Sequence, residues 1–315
     1  MNKYIHLNLH SEYSIQDGLI RINDLANKAS ELNFESLAIT DLSNLFGFIK
    51  FYKELRKKGI KPICGSDFIL SGENTNSGNL QLLVKNHNGY KNLIRLISKS
   101  HTLGKVNGHP HLSVQDLTKF SEDLILITGS IESQIGQSIL AGKQDIALKQ
   151  IEYLRNIYKD NFFLQLTRNG KNQEELCNQT LIEFSKNLGI PLVATNQVRF
   201  LAKEDFEAHE TRVCIQSGHV LGDKRRQRFF EDSQYFKSTE EMNDLFGDVP
   251  EALSNAYEIS KKCNLEVKTG IYVLPDFKTP NQSSEADYLK NLIQEGITKK
   301  LEVQKFSEIP ATYKE

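Results

Sequence analysis

Short apolar runs alternate with amphipathic stretches through the first two hundred residues, and that alternation most limits what the chain can fold into. The runs at Tyr4–His10, Ser36–Thr40, Lys61–Leu70 (broken by Gly65), Leu80–Val84, Leu124–Ile127, Phe162–Leu166 and Leu192–Thr195 have the length and composition of strands. Between them the apolar spacing becomes helical. Arg21–Asn33 carries Ile22, Leu25, Ala26, Ala29 and Leu32 on one stripe, Leu45–Lys58 stops at Gly59, and His87–Ser100, Asp145–Tyr158 and Gln173–Leu188 follow. Alternation of this kind predicts βα units on a parallel sheet. Their number in about 200 residues predicts an α/β fold of TIM-like form, a distorted seven-stranded βα barrel.

Past Phe200 the strands give out. Helices are expected at Glu204–Gln216, Glu240–Phe246 and Pro250–Cys263, the last capped by Asp248. An irregular link over Gly270–Pro280 precedes a helix from Ser283 to Glu302, capped by Ser283 and Ser284 and striped with Leu289, Leu292, Ile293 and Ile297. We take 1–280 as one domain with a helical C-terminal extension and 281–315 as the start of another. The ending at Glu315 reads as a break inside a longer protein.

With 39 basic and 40 acidic residues the chain has no global pull toward nucleic acid or membrane, so any such contact is local. Cys64, Cys177, Cys214 and Cys263 are far apart and form no CxxC pair, a pattern of reduced thiols. No apolar run reaches membrane-spanning length and the N-terminus lacks a signal-peptide pattern, which together predict a cytoplasmic protein.

In a βα barrel, chemistry sits at the C-terminal strand ends. In order, these carry His10, Asp17, Asp41 and Leu42, Asp67, Ser130, Asn169, then Gln197 and Arg199. The first strand alternates, placing His6, Asn8 and His10 on one face and Ile5, Leu7 and Leu9 on the other. A strand delivering nitrogen-bearing side chains to one spot, followed by an Asp on a turn, is how many metal sites begin. Plain ligand candidates are nevertheless few: His10, Asp17 and Asp67, with Asp41 in reserve.

The segments HLNLHSEYSIQDG (6–18), LAITDLSNLFGFIKFYKELRKKGIKPICGSDF (37–68) and VATNQVRFLAKEDFEAHETRVCIQSG (193–218) resemble, in order and spacing, the N-terminal PHP domain of bacterial replicative DNA polymerase III alpha subunits. The resemblance continues through RRQRFFEDSQYFKSTEEMNDLFGDVPEALSNAYEISKKCN (225–264) to YVLPDF (272–277). It implies a PHP domain followed by the start of a thumb domain, in the catalytic subunit of a DNA-directed DNA polymerase acting in replication. It also implies that the polymerising carboxylates and their Mg²⁺ belong to a later part of such a protein. As partners it implies the proofreading exonuclease subunit, other replicase subunits and DNA.

The resemblance also defines what an intact PHP cleft contains, and this sequence departs from it. The first motif implies two histidines where Asn8 and His10 stand, while Asp17 is kept. Thr-Asp-His becomes Thr40-Asp41-Leu42, and the usual Glu becomes Asp67. A cysteine is replaced near Ser130 and a histidine near Asn169. Asn-Asp-x-His becomes Asn196-Gln197-Val198-Arg199. A guanidinium repels a divalent ion, so Arg199 is expected to pair with Asp17, Asp41 or Asp67 instead. We therefore expect a vestigial, metal-free cleft, with no catalytic residue or cofactor in this segment and a structural, exonuclease-docking role.

Other features carry blander readings. His101, His109 and His111 read as solvated loop histidines, and His209 as a hydrogen-bonded structural one. Lys224 to Phe230 mixes base and aromatic like a nucleic-acid patch. It reads more simply as a surface loop with aromatics anchored inward and arginines paired to Glu231 and Asp232. Gly136 to Gly142 lacks a phosphate-cradling pattern, and no Gly-x-Ser-x-Gly is present. A metal-dependent PHP phosphoesterase and a DNA-binding accessory domain are the alternative functions.

Overall fold

In a computed structural model of the chain, residues 3–71, 77–223, 225–270, 274, 276–280, 282–302 and 310 are described. Two compact units are present, Met1–Glu266 and Val267–Glu315.

The first unit is built on one curled sheet. Its elements run α1 (Ile22–Glu31), β1 (Ser36–Ile39), α2 (Phe48–Lys57), β2 (Lys61–Leu70), β3 (Gly78–Val84) and α3 (His87–Thr102). A two-residue-stranded hairpin, β4 (Lys105–Val106) and β5 (His109–Pro110), leads to α4 (Val114–Lys119) and β6 (Leu124–Thr128). Then come α5 (Gln134–Leu140), α6 (Gln144–Tyr158), β7 (Phe162–Thr167), α7 (Glu174–Leu188) and β8 (Leu192–Thr195). Helices α8 (Phe206–Ser217), α9 (Thr239–Leu245) and α10 (Pro250–Lys262) complete the unit, α10 lying against β8.

The sheet has six strands in the order β1-β2-β3-β6-β7-β8, not the seven expected, and it is mixed rather than parallel. β1 and β2, β6 and β7, and β7 and β8 are parallel, whereas β3 runs antiparallel to both β2 and β6. The reason is chain length. Only residues 71–77 separate β2 from β3, too short a span for the crossover a parallel pair requires.

The opening run forms no regular strand, yet it joins the two edges of the sheet. On one side Ala38 N–H donates to His6 O (3.0 Å) and Thr40 N–H to Leu9 O (2.8 Å). On the other, His10 N–H donates to Val198 O (3.0 Å) and Val198 N–H to Asn8 O (3.1 Å). Every residue from Tyr4 to Ser11 is buried. The alternation therefore sorts side chains between two interior surroundings and not between core and solvent.

β2 is continuous through Gly65, where a break was expected. A Cβ there would lie 2.6 Å from Leu83 Cδ2 and 2.7 Å from Leu82 O, so glycine permits the close approach of β3. α4 and α5 were not foreseen, being shorter than two clear periods; Ser113 and Ser133 cap them. Asp248 does not cap α10. Its carboxylate takes a bidentate bond from Arg168 (2.5 and 2.7 Å), and Val249 occupies the cap position.

In the second unit, α11 (Glu285–Lys300) is capped by Ser284, which accepts from Asp287 N–H. Within the motif 272–277, residues 272, 273 and 275 lie outside the described residues. Among the described residues, no helix is long and apolar enough to cross a membrane.

Replacing Gly65 with Ala should lower the urea midpoint of the chain, by about 1–3 kcal/mol in stability, since the added methyl meets backbone as well as a side chain. The same change at Gly59, whose φ is +73°, meets no atom within 4 Å and reports only the conformational penalty of that turn.

Candidate functional site

Asn8 and His10 lie two residues apart on the closing segment and point into the end of the sheet where β1, β2 and β8 finish. There they meet Asp67 on β2. Asn8 Nδ2 donates to both Asp67 oxygens (3.2 and 2.9 Å), and His10 Nε2 lies 2.9 Å from Asp67 Oδ2. The other ring nitrogen, Nδ1, lies 2.8 Å from Asp17 Oδ1. Asp17 Oδ2 lies 3.2 Å from Arg199 Nε, an ion pair whose N–H is not aligned as a hydrogen bond. Arg199 Nη1 closes the circuit by donating to Asn8 Oδ1 (3.2 Å). Arg199, Asn8, Asp67, His10 and Asp17 thus form one ring of five side chains, four of which, Asn8, His10, Asp67 and Arg199, are less than a tenth exposed.

Two carboxylates in this ring face one guanidinium and one imidazole. Both imidazole nitrogens sit against carboxylate oxygens, which requires the doubly protonated ring. Burial and Arg199 oppose that charge, but Asp17 and Asp67 outweigh them and push the His10 pKa up to about 9. Burial works against ionised Asp17 in the same way, and His10 and Arg199 hold its carboxyl well below the usual range. With His10 protonated the ring is neutral overall, the condition under which buried charges are tolerated.

Of the expected partners of Arg199, Asp17 is the one engaged; Asp67 is held by Asn8 and His10. Asp41 stands apart. It accepts from Ser11 N–H (2.7 Å), Ser11 Oγ (3.0 and 2.8 Å) and Ser14 Oγ (2.8 Å), and burial raises its pKa despite these donors. Leu42 brings no side-chain donor; its amide bonds Ser14 Oγ (3.1 Å), and its backbone bridges to Asp67. His6 does not join the site. It packs among Tyr4, Phe34 and Phe236, with Nε2 2.8 Å from Lys237 O, and burial lowers its pKa to about 4.

Ser130, Asn169 and Gln197 form a second network around Glu132, which the sequence reading passed over. Asn169 Nδ2 donates to Gln197 Oε1 (3.0 Å), and Gln197 Nε2 to Glu132 Oε2 (3.0 Å). Ser130 Oγ donates to the same oxygen (3.1 Å), and Lys171 forms an ion pair with Glu132 Oε1. Burial favours the neutral acid at Glu132, but Lys171, Gln197 and Ser130 prevail and lower its pKa. Glu132 lies two residues past the strand-end Ser130, and that short offset was its only signal. Asn169 Oδ1 and Glu174 Oε1 are buried without a hydrogen-bond partner among the described residues.

The donor set does not fit a divalent ion. Both His10 nitrogens are taken by carboxylates, Asp67 is shared by Asn8 and His10, and a permanent cation sits against Asp17. Among the described residues, no group of three or more His, Cys, Asp or Glu side chains is arranged to hold a metal.

Of the other histidines, His109 is exposed in the β4–β5 hairpin, as expected of a solvated residue. His101 is exposed but lies in the last turn of α3 and not in a loop, its Nε2 2.8 Å from Ser43 O, whereas His111 is buried with Nδ1 2.9 Å from His109 O and is not the solvated residue expected. His209 is buried on α8 with Nε2 2.8 Å from Asp17 O, and it supports the turn that presents Asp17.

A family model described as "PHP domain" matches residues 6–169. The chain is 41% identical to "DNA polymerase III subunit alpha" of Pseudomonas aeruginosa over 95% of its own length and 26% of that protein. It is 40% identical to the Escherichia coli K12 protein of the same name over 95% of the chain and 26% of that protein. The Buchnera aphidicola protein, also so named, is 38% identical over 99% of the chain and 27% of that protein. The chain thus spans about a quarter of the length of these relatives. Among solved structures, an amidohydrolase from Chromobacterium violaceum aligns over 61% of this chain and 86% of that one, with 10% identity and a TM-score of 0.42.

Two outcomes test the ring. Arg199→Met should cost about 3–5 kcal/mol in urea unfolding, because it leaves Asp17 with one buried partner fewer, and Asp17→Asn in the same chain should restore part of that loss. The pH dependence isolates His10. Its folded pKa of about 9 exceeds the ordinary 6.5, so its contribution is complete below pH 6.5 and is lost as pH rises to about 9. The stability difference between the chain and its His10→Asn variant should shrink across that window by roughly 3 kcal/mol. Taking the difference removes the opposite-signed contributions of His6 and Lys237, which burial biases toward neutrality.

Proposed function

The chain belongs to the PHP domain family, and from that premise we propose that it is the N-terminal segment of the alpha subunit of a replicative DNA polymerase III. In this reading the complete protein is a DNA-directed DNA polymerase of the cytoplasm. Its nucleotidyl transfer, on carboxylates and Mg²⁺, belongs to sequence beyond this segment. The segment itself acts without metal or phosphoesterase activity, as a structural module on which the proofreading exonuclease subunit docks. Residues 281–315 begin the thumb in the same reading.

One observation carries the metal-free part: Arg199 completes an ion-pair ring through the side chains that a PHP cleft would use as ligands. A guanidinium fixed between Asp17 and Asn8 supplies locally the positive charge a metal would have brought, at the positions where its ligands would stand. A cleft so closed holds shape without an ion, and a rigid scaffold is what docking requires of it.

Elemental analysis of protein purified without chelator should find zinc, manganese and iron far below one per chain, and added Mn²⁺ should elicit no hydrolysis of p-nitrophenyl phosphate. Stoichiometric metal with turnover revives the phosphoesterase. Co-elution of the chain with the proofreading exonuclease subunit in gel filtration tests the docking role; separate elution at micromolar concentration removes it.

A further inference from the structure

The loop after α8 that mixes arginine and phenylalanine is only partly accounted for by packing. Arg226 is drawn inward, its Nη2 2.5 Å from Glu210 Oε2 with both side chains buried, and Phe230 sets its ring edge-on to His209 at 4.8 Å. These two anchors replace the pairing with Glu231 and Asp232 expected from sequence; Asp232 pairs instead with Lys203 (3.1 Å). The residues between the anchors are turned outward. Phe229 is 55% exposed, and Arg228 is exposed with no ion partner among the described residues. Arg225 is solvent-facing and, among the described residues, pairs with Asp223, its near neighbour (3.1 Å).

Between this loop and α8 lies an open cavity of about 340 Å³, lined by Phe229, Phe230, Gln216 and Gln227 and reaching Asp17 of the ion-pair ring. The amides of Gln216 and Gln227 make no hydrogen bond among the described residues. The cavity therefore combines an exposed aromatic wall with free amide donors and acceptors, and the exposed Arg228 directly precedes its Phe229 in the chain. We infer that this cavity takes one unstacked nucleobase of single-stranded DNA, the base lying on Phe229, the amides meeting its Watson–Crick edge and Arg228 meeting the adjoining phosphate. Such a site is local, in keeping with a chain whose overall charge is −1. The choice of DNA over RNA rests on the polymerase reading above; the cavity's fit to a base does not.

The test uses a fluorescein-labelled twelve-nucleotide oligodeoxythymidylate carrying one 5-iododeoxyuridine, in low-salt buffer containing EDTA. Fluorescence anisotropy should show binding that weakens with salt, and irradiation should crosslink the iodouracil to Phe229 or Phe230. Phe229→Ala should weaken binding about five- to 150-fold, the loss of one stacked base. Arg228→Gln should lower the slope of log affinity against log salt by about 0.7, one phosphate contact on a single strand. Phe46→Ala, which removes a more exposed aromatic (68%) outside this cavity, should change neither readout. Absence of binding at low salt, equal binding to duplex, tighter binding to the matching oligoribonucleotide, or unaltered affinity in Phe229→Ala overturns the assignment. Because EDTA is present and no exonuclease is added, failure of the metal-free or docking proposal leaves this outcome unmoved.

Discussion

The neutral ring of Arg199, Asn8, Asp67, His10 and Asp17 is the interaction on which the rest of this end of the molecule depends. Its members come from the closing segment, the turn after it, β2, and the chain beyond β8. Each is far in sequence from its partner across the sheet, so the ring forms only when the sheet has curled and its edges are joined. The backbone bonds of the closing segment act in the same direction, holding Leu9 against both Thr40 and Val198. Remove one charge and the remaining three are buried out of balance, which costs far more than the ring contributes over an apolar filling.

The network around Glu132 solves the same problem beside it. Lys171 balances the carboxylate, and Ser130 and Gln197 spend their donors on it. Together the two networks fill the strand ends with polar groups that satisfy one another. Among the described residues, Asn169 Oδ1, Glu174 Oε1 and Arg199 Nε make no hydrogen bond, the last being held by its ion pair with Asp17. Outside this closed region, the loop after α8 turns an aromatic and two arginines to solvent, and there the chain has surface to offer a partner.

Much of this was legible in residue order. The strands β1, β6, β7 and β8 and the helices α1, α2, α3, α6 and α7 follow from apolar spacing, since burial of one face imposes a period. The polar strand ends from Asn8 to Arg199 could be read as positions, because a βα unit puts its loop residues at one end. The antiparallel β3 was not legible from period, which is blind to strand direction. Glu132 was missed because a carboxylate two residues past a strand end looks solvated until Lys171 is brought to it.

The sequence by itself therefore determined the α/β class, most of the elements and the set of side chains gathered at one end of the sheet. Only the tertiary structure decided that Arg199 pairs with Asp17 and not with Asp41, that His6 leaves its neighbours for an aromatic pocket, and that Arg226 turns inward while Arg228 does not. The physical reason is range. Periodicity is a local property of a chain seeking to bury one face, whereas the partner of a buried charge is set by which distant segment arrives within about 3 Å of it.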